Sequence, residues 1–213
     1  MLHEATVGAG LPVIDTINKL VASGDRILQI EGCPSGTLGF LFSEMSRGIP
    51  FSVALQSAMA KGYTEPDPRD DLSGMDVARK ALILGRMLGY RGELHDIEVE
   101  SLVPVPMRKL PLADFLRRAG EVNAFWSQRV ADAQERGEVL RYRIIVTTKS
   151  LHVGVVAVDA SSPLGALGGT DNLFSFTTTR YKSNPLVITG PGAGAGVTAA
   201  GVFTDVLTLA EQR

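Results

Sequence analysis

A single cysteine, Cys33, is all the thiol chemistry in the chain, which excludes an internal disulfide and fits a reducing compartment. Neither sign of charge is in excess: 21 basic against 23 acidic residues leave no field that would gather nucleic acid or a membrane surface. No apolar run approaches the roughly 18 residues that a spanning helix needs. The opening residues Met1, Leu2, His3 and Glu4 carry neither the basic start nor the apolar stretch of a signal peptide. These absences point to a soluble intracellular protein with no nucleic-acid or membrane partner. At 213 residues the chain can bury one substantial core, with room for a small annex.

What the chain does have is a dense charged stretch at 62–80, reading Gly-Tyr-Thr-Glu-Pro-Asp-Pro-Arg-Asp-Asp-Leu-Ser-Gly-Met-Asp-Val-Ala-Arg-Lys between mostly apolar flanks. Pro66 and Pro68 push Glu65 and Asp67 into extended conformations, so the first half is expected to be a stiff, non-helical strap. Ser73 with Asp76 three residues on reads as a capping box. Val77, Ala78, Ala81, Leu82, Leu84 and Leu88 supply the apolar face of a helix running to about residue 90. Asp76 and Lys80 then lie one turn apart. On an arbitrary helix they would be a surface ion pair worth about 0.3–0.5 kcal/mol. Behind a rigid acidic strap they can join Glu65 and Asp71 in one small volume. Such a cluster suits a zwitterionic substrate: carboxylates hold an ammonium group, and a lysine exchanges a proton with a hydroxyl or carbonyl oxygen.

Around this stretch, 2–7 reads as a short strand and 12–21 as a helix opening at Pro12. Residues 27–31 read as a strand and 38–47 as a helix. The pattern imitates a dinucleotide fingerprint, but Val13 occupies the third glycine position and too little chain precedes the turn for a central strand. Cys33 is read as a packed thiol. A second helix covers 51–61, capped near Ser52. Residues 97–103 alternate like a half-buried strand, and 112–119 and 122–136 are amphipathic helices. Residues 139–148 and 151–158 form a hairpin around Lys149 and Ser150, and 173–179 and 186–189 add two strands; all four are expected to share one sheet. His95 and His152 stand singly and carry no metal or catalytic expectation. A glycine-rich loop at 190–196 leads into a helix over 197–210, a start that favours an anionic or amide-bearing ligand or simply allows close packing.

The stretch 62–80 resembles the signature of homoserine dehydrogenase, in the form found in bifunctional aspartokinase–homoserine dehydrogenases and fungal enzymes. Similar stretches recur at 3–12, 30–32, 35–38, 171–172, 177–182 and 190–203. By this resemblance Lys80 is catalytic, and Glu65, Asp71, Asp76 and Thr37 meet the substrate. Gly62 and Gly194 lie at a NADP or NAD cofactor, while Glu4, Val7, Ala9 and Leu11 hold a monovalent cation, usually sodium. Cys33 and Pro34 depart from the family pattern, which has two apolar residues there, and this leaves the path of the loop before Thr37 open.

The implied fold is α+β: a mixed, largely antiparallel sheet with helices on one face, plus a C-terminal helix that would complete a nucleotide-binding domain. Residues 1–190 are expected to form the catalytic and dimerisation region, and 191–213 the glycine loop and returning helix. The family's N-terminal nucleotide-binding domain is absent, so the chain reads as part of a larger protein, a truncated gene or half of a split enzyme. The implied reaction is NAD(P)H-dependent reduction of L-aspartate 4-semialdehyde to L-homoserine, inactive without that domain. A homodimer is implied, with aspartokinase on the same polypeptide in the bifunctional form, in cytoplasm or plastid stroma. The alternative is a non-catalytic substrate-binding or oligomerisation module.

Overall fold

A computed structural model of the chain describes residues 2–211. Its frame is a six-stranded sheet in the order β2-β4-β3-β1-β5-β6, where β1 is Ile27–Cys33, β2 Glu98–Val99, β3 Glu138–Val146, β4 Leu151–Asp159, β5 Asp171–Thr178 and β6 Leu186–Pro191. Only β2 pairs in parallel, with β4. The four strands expected together do share one sheet, and β1 lies in its middle, antiparallel to both β3 and β5. That pairing rules out a doubly wound nucleotide fold around β1, whose neighbours would have to run parallel.

Period-two alternation decides what each face meets. Leu140, Tyr142, Ile144 and Val146 of β3, Ile30 of β1 and Phe174 and Phe176 of β5 are buried in the main core. Helices cover that face: α1 (Val13–Ala22), α2 (Gly36–Ser46), α3 (Phe51–Ala60), α4 (Arg69–Leu72), α5 (Met75–Leu88), α6 (Leu112–Arg118) and α7 (Asn123–Gln134). On the other face Cys33, Leu164, Leu167 and Leu173 form a smaller cluster beneath the loop after β4. The last helix, α8 (Ala195–Glu211), leaves Val202, Phe203, Val206, Leu207 and Leu209 about half exposed. Among the described residues no helix is long and apolar enough to cross a membrane.

Several local expectations change. Residues 2–7 form no strand: Glu4–Thr6 is a single 3-10 turn, because the Glu4 carboxylate reaches back to the Ile14 and Asp15 amides at 2.8 and 2.7 Å. The capping box at Ser73 does not close. Gly74, at φ 74°, takes the N-cap position, and the Ser73 hydroxyl accepts from the Met75 amide at 3.2 Å. Glycine is required there, since a Cβ would run into the Tyr142 hydroxyl. Helix α3 starts after Pro50, and the Ser52 amide is capped by Asn123 Oδ1 at 2.9 Å rather than by Ser52. Of 97–103 only Glu98–Val99 is strand, because the Leu102 amide turns to the Leu72 carbonyl at 2.8 Å. The hairpin loop spans 147–150, where the Thr147 hydroxyl accepts from the Lys149 and Ser150 amides.

Asp25, at 5% exposure, locks the start of β1 to the end of β5. Thr178 and Thr179 hydroxyls donate to it at 2.7 and 2.6 Å. Burial pushes its carboxyl up, but those hydroxyls and the Arg26 and Arg180 amides outweigh burial and hold it at about 2. A carboxyl depressed on folding stabilises the fold above its usual value near 3.8, and that contribution is lost as pH falls through about 2. Thermal melts across this window are expected to show a shallower acid-side fall in Tm for Asp25→Asn than for the parent. Parallel curves would contradict the assignment.

Candidate active site

The loop from β1 into α2 organises the site. The Ser35 hydroxyl caps α2 by accepting from the Leu38 amide at 3.3 Å. Gly36 sits so close to the Thr170 carbonyl that a Cβ would stand 3.0 Å from it. The loop is thereby pinned with the Pro34 carbonyl turned toward α5 and the Thr37 side chain turned toward the strap. Lys80 Nζ donates to the Pro34 carbonyl at 3.0 Å and pairs with Asp76 at 2.9 Å. The Thr37 hydroxyl lies 2.5 Å from the Tyr63 carbonyl and 3.0 Å from Asp71 Oδ1, while Asp71 Oδ2 accepts the Glu65 amide at 2.9 Å.

Two hydrogen-bonded groups therefore meet on one loop: Lys80 with Asp76, and Asp71 with Thr37 and the Glu65 backbone. Of the two aspartates, Asp76 and not Asp71 pairs with Lys80. The Lys80 side chain keeps 23% of its surface and Asp76 keeps 54%, so a partly buried lysine pairs with a half-exposed carboxylate. Glu65 is exposed and commits only its amide. Burial pushes the Asp71 carboxyl up, the Glu65 amide and Thr37 hydroxyl pull it down, and the Glu65 charge raises it again. The net rise makes ionised Asp71 a cost to the fold, taken on as pH climbs past its usual value near 3.8.

The strap owes its shape to a lock that the sequence did not announce. Asp67 accepts from the Arg69 amide and side chain, closing a turn that starts α4 after Pro68. Arg69 then donates to the Leu110 carbonyl at 2.5 Å and lies 5.4 Å from the centre of the Phe115 ring. The expected non-helical half thus contains a short helix, and Asp71 rides on it. Gly62, φ 68°, ends α3 with its amide on the Met59 carbonyl and leads into Tyr63.

A second grouping gathers at the start of α8. Gly194, φ 136°, gives its carbonyl to the Thr198 amide. Gly10 leaves no room for a Cβ against the Val197 carbonyl, and Gly201 lies over the Ala9 carbonyl and the Gly10 Cα. The Glu4 amide donates to Asp205 at 3.0 Å. The segment that carries Glu4, Val7, Ala9 and Leu11 is therefore clamped by α8. Glu4 is buried and its carboxyl raised by burial; the Ile14 and Asp15 amides lower it, and the Asp15 and Asp205 charges raise it. Ala9 adopts φ 53°, the one non-glycine residue with positive φ among those described, and the Leu11 carbonyl accepts from Val13 at 2.8 Å. Both Glu4 oxygens are thus taken by amides at the start of α1, and the Leu11 carbonyl by Val13. The burial of Asn172 was not foreseen: it lies fully buried beneath Gly192, its side-chain amide without a partner among the described residues. The Asp171-Asn172 pair carried the resemblance but gave no sign of this burial.

The sequence model of homoserine dehydrogenase matches residues 12–207. A chloroplastic bifunctional aspartokinase/homoserine dehydrogenase 2 of Zea mays is 48% identical over 98% of the chain, which covers 23% of that protein. The homoserine dehydrogenase of Saccharomyces cerevisiae is 44% identical over 99% of the chain, which covers 60% of it. A crystal structure of a Candida auris protein of unknown function superposes at a TM-score of 0.93 with 43% identity, over 98% of this chain and 60% of that one. A hyperthermophilic archaeal homoserine dehydrogenase in complex with NADPH superposes at 0.72 with 25% identity, over 99% and 55%. The chain belongs to the homoserine dehydrogenase family and spans between about a quarter and three fifths of these relatives.

Proposed function

We propose that this chain is the substrate-binding and catalytic part of an NAD(P)H-dependent homoserine dehydrogenase, interconverting L-aspartate 4-semialdehyde and L-homoserine. The observation that carries the reading is the Lys80 ammonium, held between Asp76 and the Pro34 carbonyl on the loop that also bears Thr37. When bound, the nicotinamide supplies the hydride that reduces the aldehyde carbon. Lys80 gives the substrate oxygen a proton as the alcohol forms, and takes it back in reverse. An alkylammonium is a far stronger acid than an alcohol, so the transfer runs downhill. Asp76 and Pro34 occupy two of its three N–H directions and leave the third for substrate. The exposed Glu65 carboxylate receives the substrate ammonium. Asp71 fixes Glu65 and Thr37, since both its oxygens are spent on them.

Gly62 and Gly194 are assigned to the cofactor, NADP or NAD: open backbone and the amides at the start of α8 favour close approach of a phosphate or carboxamide. A nucleotide-binding domain would cover the exposed apolar residues of α8, with 191–213 as the returning segment and 1–190 as the catalytic and dimerisation region. The partly exposed Arg143, Ile145 and Val156, opposite the helices, would join two copies. Glu4 with the carbonyls of Val7, Ala9 and Leu11 would hold sodium. Thermal melts are then expected to show a rise in Tm on exchanging choline for sodium that Glu4→Gln abolishes; a rise retained in the variant would remove Glu4 from the ligand set. The reading places the protein in cytoplasm or plastid stroma.

The deciding assay is NADPH oxidation with aspartate semialdehyde, using the chain alone and the chain joined to a homoserine dehydrogenase nucleotide-binding domain. Turnover is expected only in the second. A folded fusion that binds homoserine without turnover would leave a substrate-binding module in its place.

A further inference from the structure

We propose that the cleft behind the strap, between the start of α5 and the segment after β2, is a binding site for a small apolar carboxylate, separate from the Lys80 site. The cleft has a volume of about 360 Å³, within the range of small-ligand sites, and Met75, Val99 and Val103 form its apolar walls. Ser73, Ser101, Arg69 and Arg108 complete the lining.

The two arginines differ in what they have left to offer. Arg69 is spent on Asp67 and on the Leu110 and Arg108 carbonyls. The Arg108 side chain, among the described residues, gives only its Nε, to the Val103 carbonyl at 3.3 Å, and stands in no ion pair. Its terminal N–H groups are the free half of a fork that matches a carboxylate. The hydroxyl hydrogen of Ser73 goes to the Asp70 carbonyl, whereas Ser101 only accepts, from the Val103 amide, and keeps its hydrogen to donate.

The course of the segment 98–101 makes the cleft one-signed. Val99 and Ser101 face it, while Glu98 and Glu100 turn to the other side, where Glu98 meets His152 and Glu100 meets Arg129 and the Val155 amide. No carboxylate lines the cleft. An ammonium group would therefore go unpaired, and a branched monocarboxylate fits better than the amino acid of the same skeleton.

Isothermal titration of the chain with 4-methylpentanoate is expected to show saturable, one-site binding, weakened about tenfold or more in Arg108→Gln and by a smaller factor in Arg108→Lys, which keeps the charge but loses the fork. Leucine and acetate should each bind about tenfold more weakly, for want of an ammonium partner and of apolar contact respectively. Arg108 is exposed, so both variants should keep the parent Tm. No saturable binding, equal affinity in Arg108→Gln, or acetate binding as tightly as 4-methylpentanoate would each overturn the proposal. None of these outcomes depends on dehydrogenase activity.

Discussion

Replacing Lys80 by methionine, in the chain joined to a nucleotide-binding domain, is expected to lower kcat by about two to four orders of magnitude with little change in Tm. The magnitude is what a positioned proton donor contributes, and the direction follows from the geometry. Lys80 Nζ is fixed at 2.9 Å from Asp76 and 3.0 Å from the Pro34 carbonyl, so its remaining N–H points to a defined place. Methionine keeps the apolar stem and removes only the amine. Asp76 is half exposed, and its loss of a partner costs the fold little. Asp76→Asn should lower kcat less, because the Pro34 carbonyl still holds the amine. Stopped-flow turnover of aspartate semialdehyde with NADPH separates the proton step from binding. A Lys80→Met enzyme with parental kcat would remove Lys80 from the chemistry.

Arg141→Met should lower Tm by about 6–12 °C, corresponding to about 3 kcal/mol in a domain of this size. Arg141 is 6% exposed and, among the described residues, has no carboxylate partner. Burial depresses its guanidinium pKa. Its donors go instead to backbone carbonyls: Leu164 at 3.1 Å, Gly165 at 2.6 Å, Leu167 at 2.8 Å and Leu140 at 2.9 Å. Three of these lie in the loop after β4, which is otherwise held to the sheet mainly by Leu164 and Leu167 packed on Cys33 and Leu173. Methionine fills the stem but leaves those carbonyls without donors, and water reaches them only if the loop lifts. Lifting uncovers Cys33, whose thiol burial pushes up to about 12, against the lowering pull of Arg141. Removing that charge cannot by itself make the thiol reactive, so labelling by a disulfide reagent reports exposure. The parent should resist labelling and the variant should react under native conditions. Unchanged Tm and labelling would show that the loop holds without Arg141.

The acidic strap, the α5 helix with Asp76 and Lys80 one turn apart, and the four strands in one sheet were legible because each rests on neighbours in sequence. Two prolines restrict their preceding residues, and period 3.6 or period 2 marks a face. The departure at Cys33 and Pro34 left the Thr37 loop open. In the structure Pro34 supplies the carbonyl that anchors Lys80, and a carbonyl is available whatever the side chain. Helix α4 escaped notice because it depends on Arg69 folding back on Asp67 and reaching Leu110. The capping serine at α3 misled for a similar reason: its amide is served by Asn123, from another helix.

The sequence by itself determined the longer helices and the five longer strands, the apolar face of each, the family, and the charged stretch around which the candidate site is built. Backbone stiffness and hydrophobic period are local properties, so they need no knowledge of the fold. Only the tertiary structure decided that Asp76 rather than Asp71 holds Lys80, that Asp71 serves Thr37 and Glu65, and that Glu4 lies buried against α1 with α8 clamped over it. Those outcomes depend on donors and acceptors far apart in the chain, and burial obliges each such group to find whichever partner the packing brings within about 3 Å.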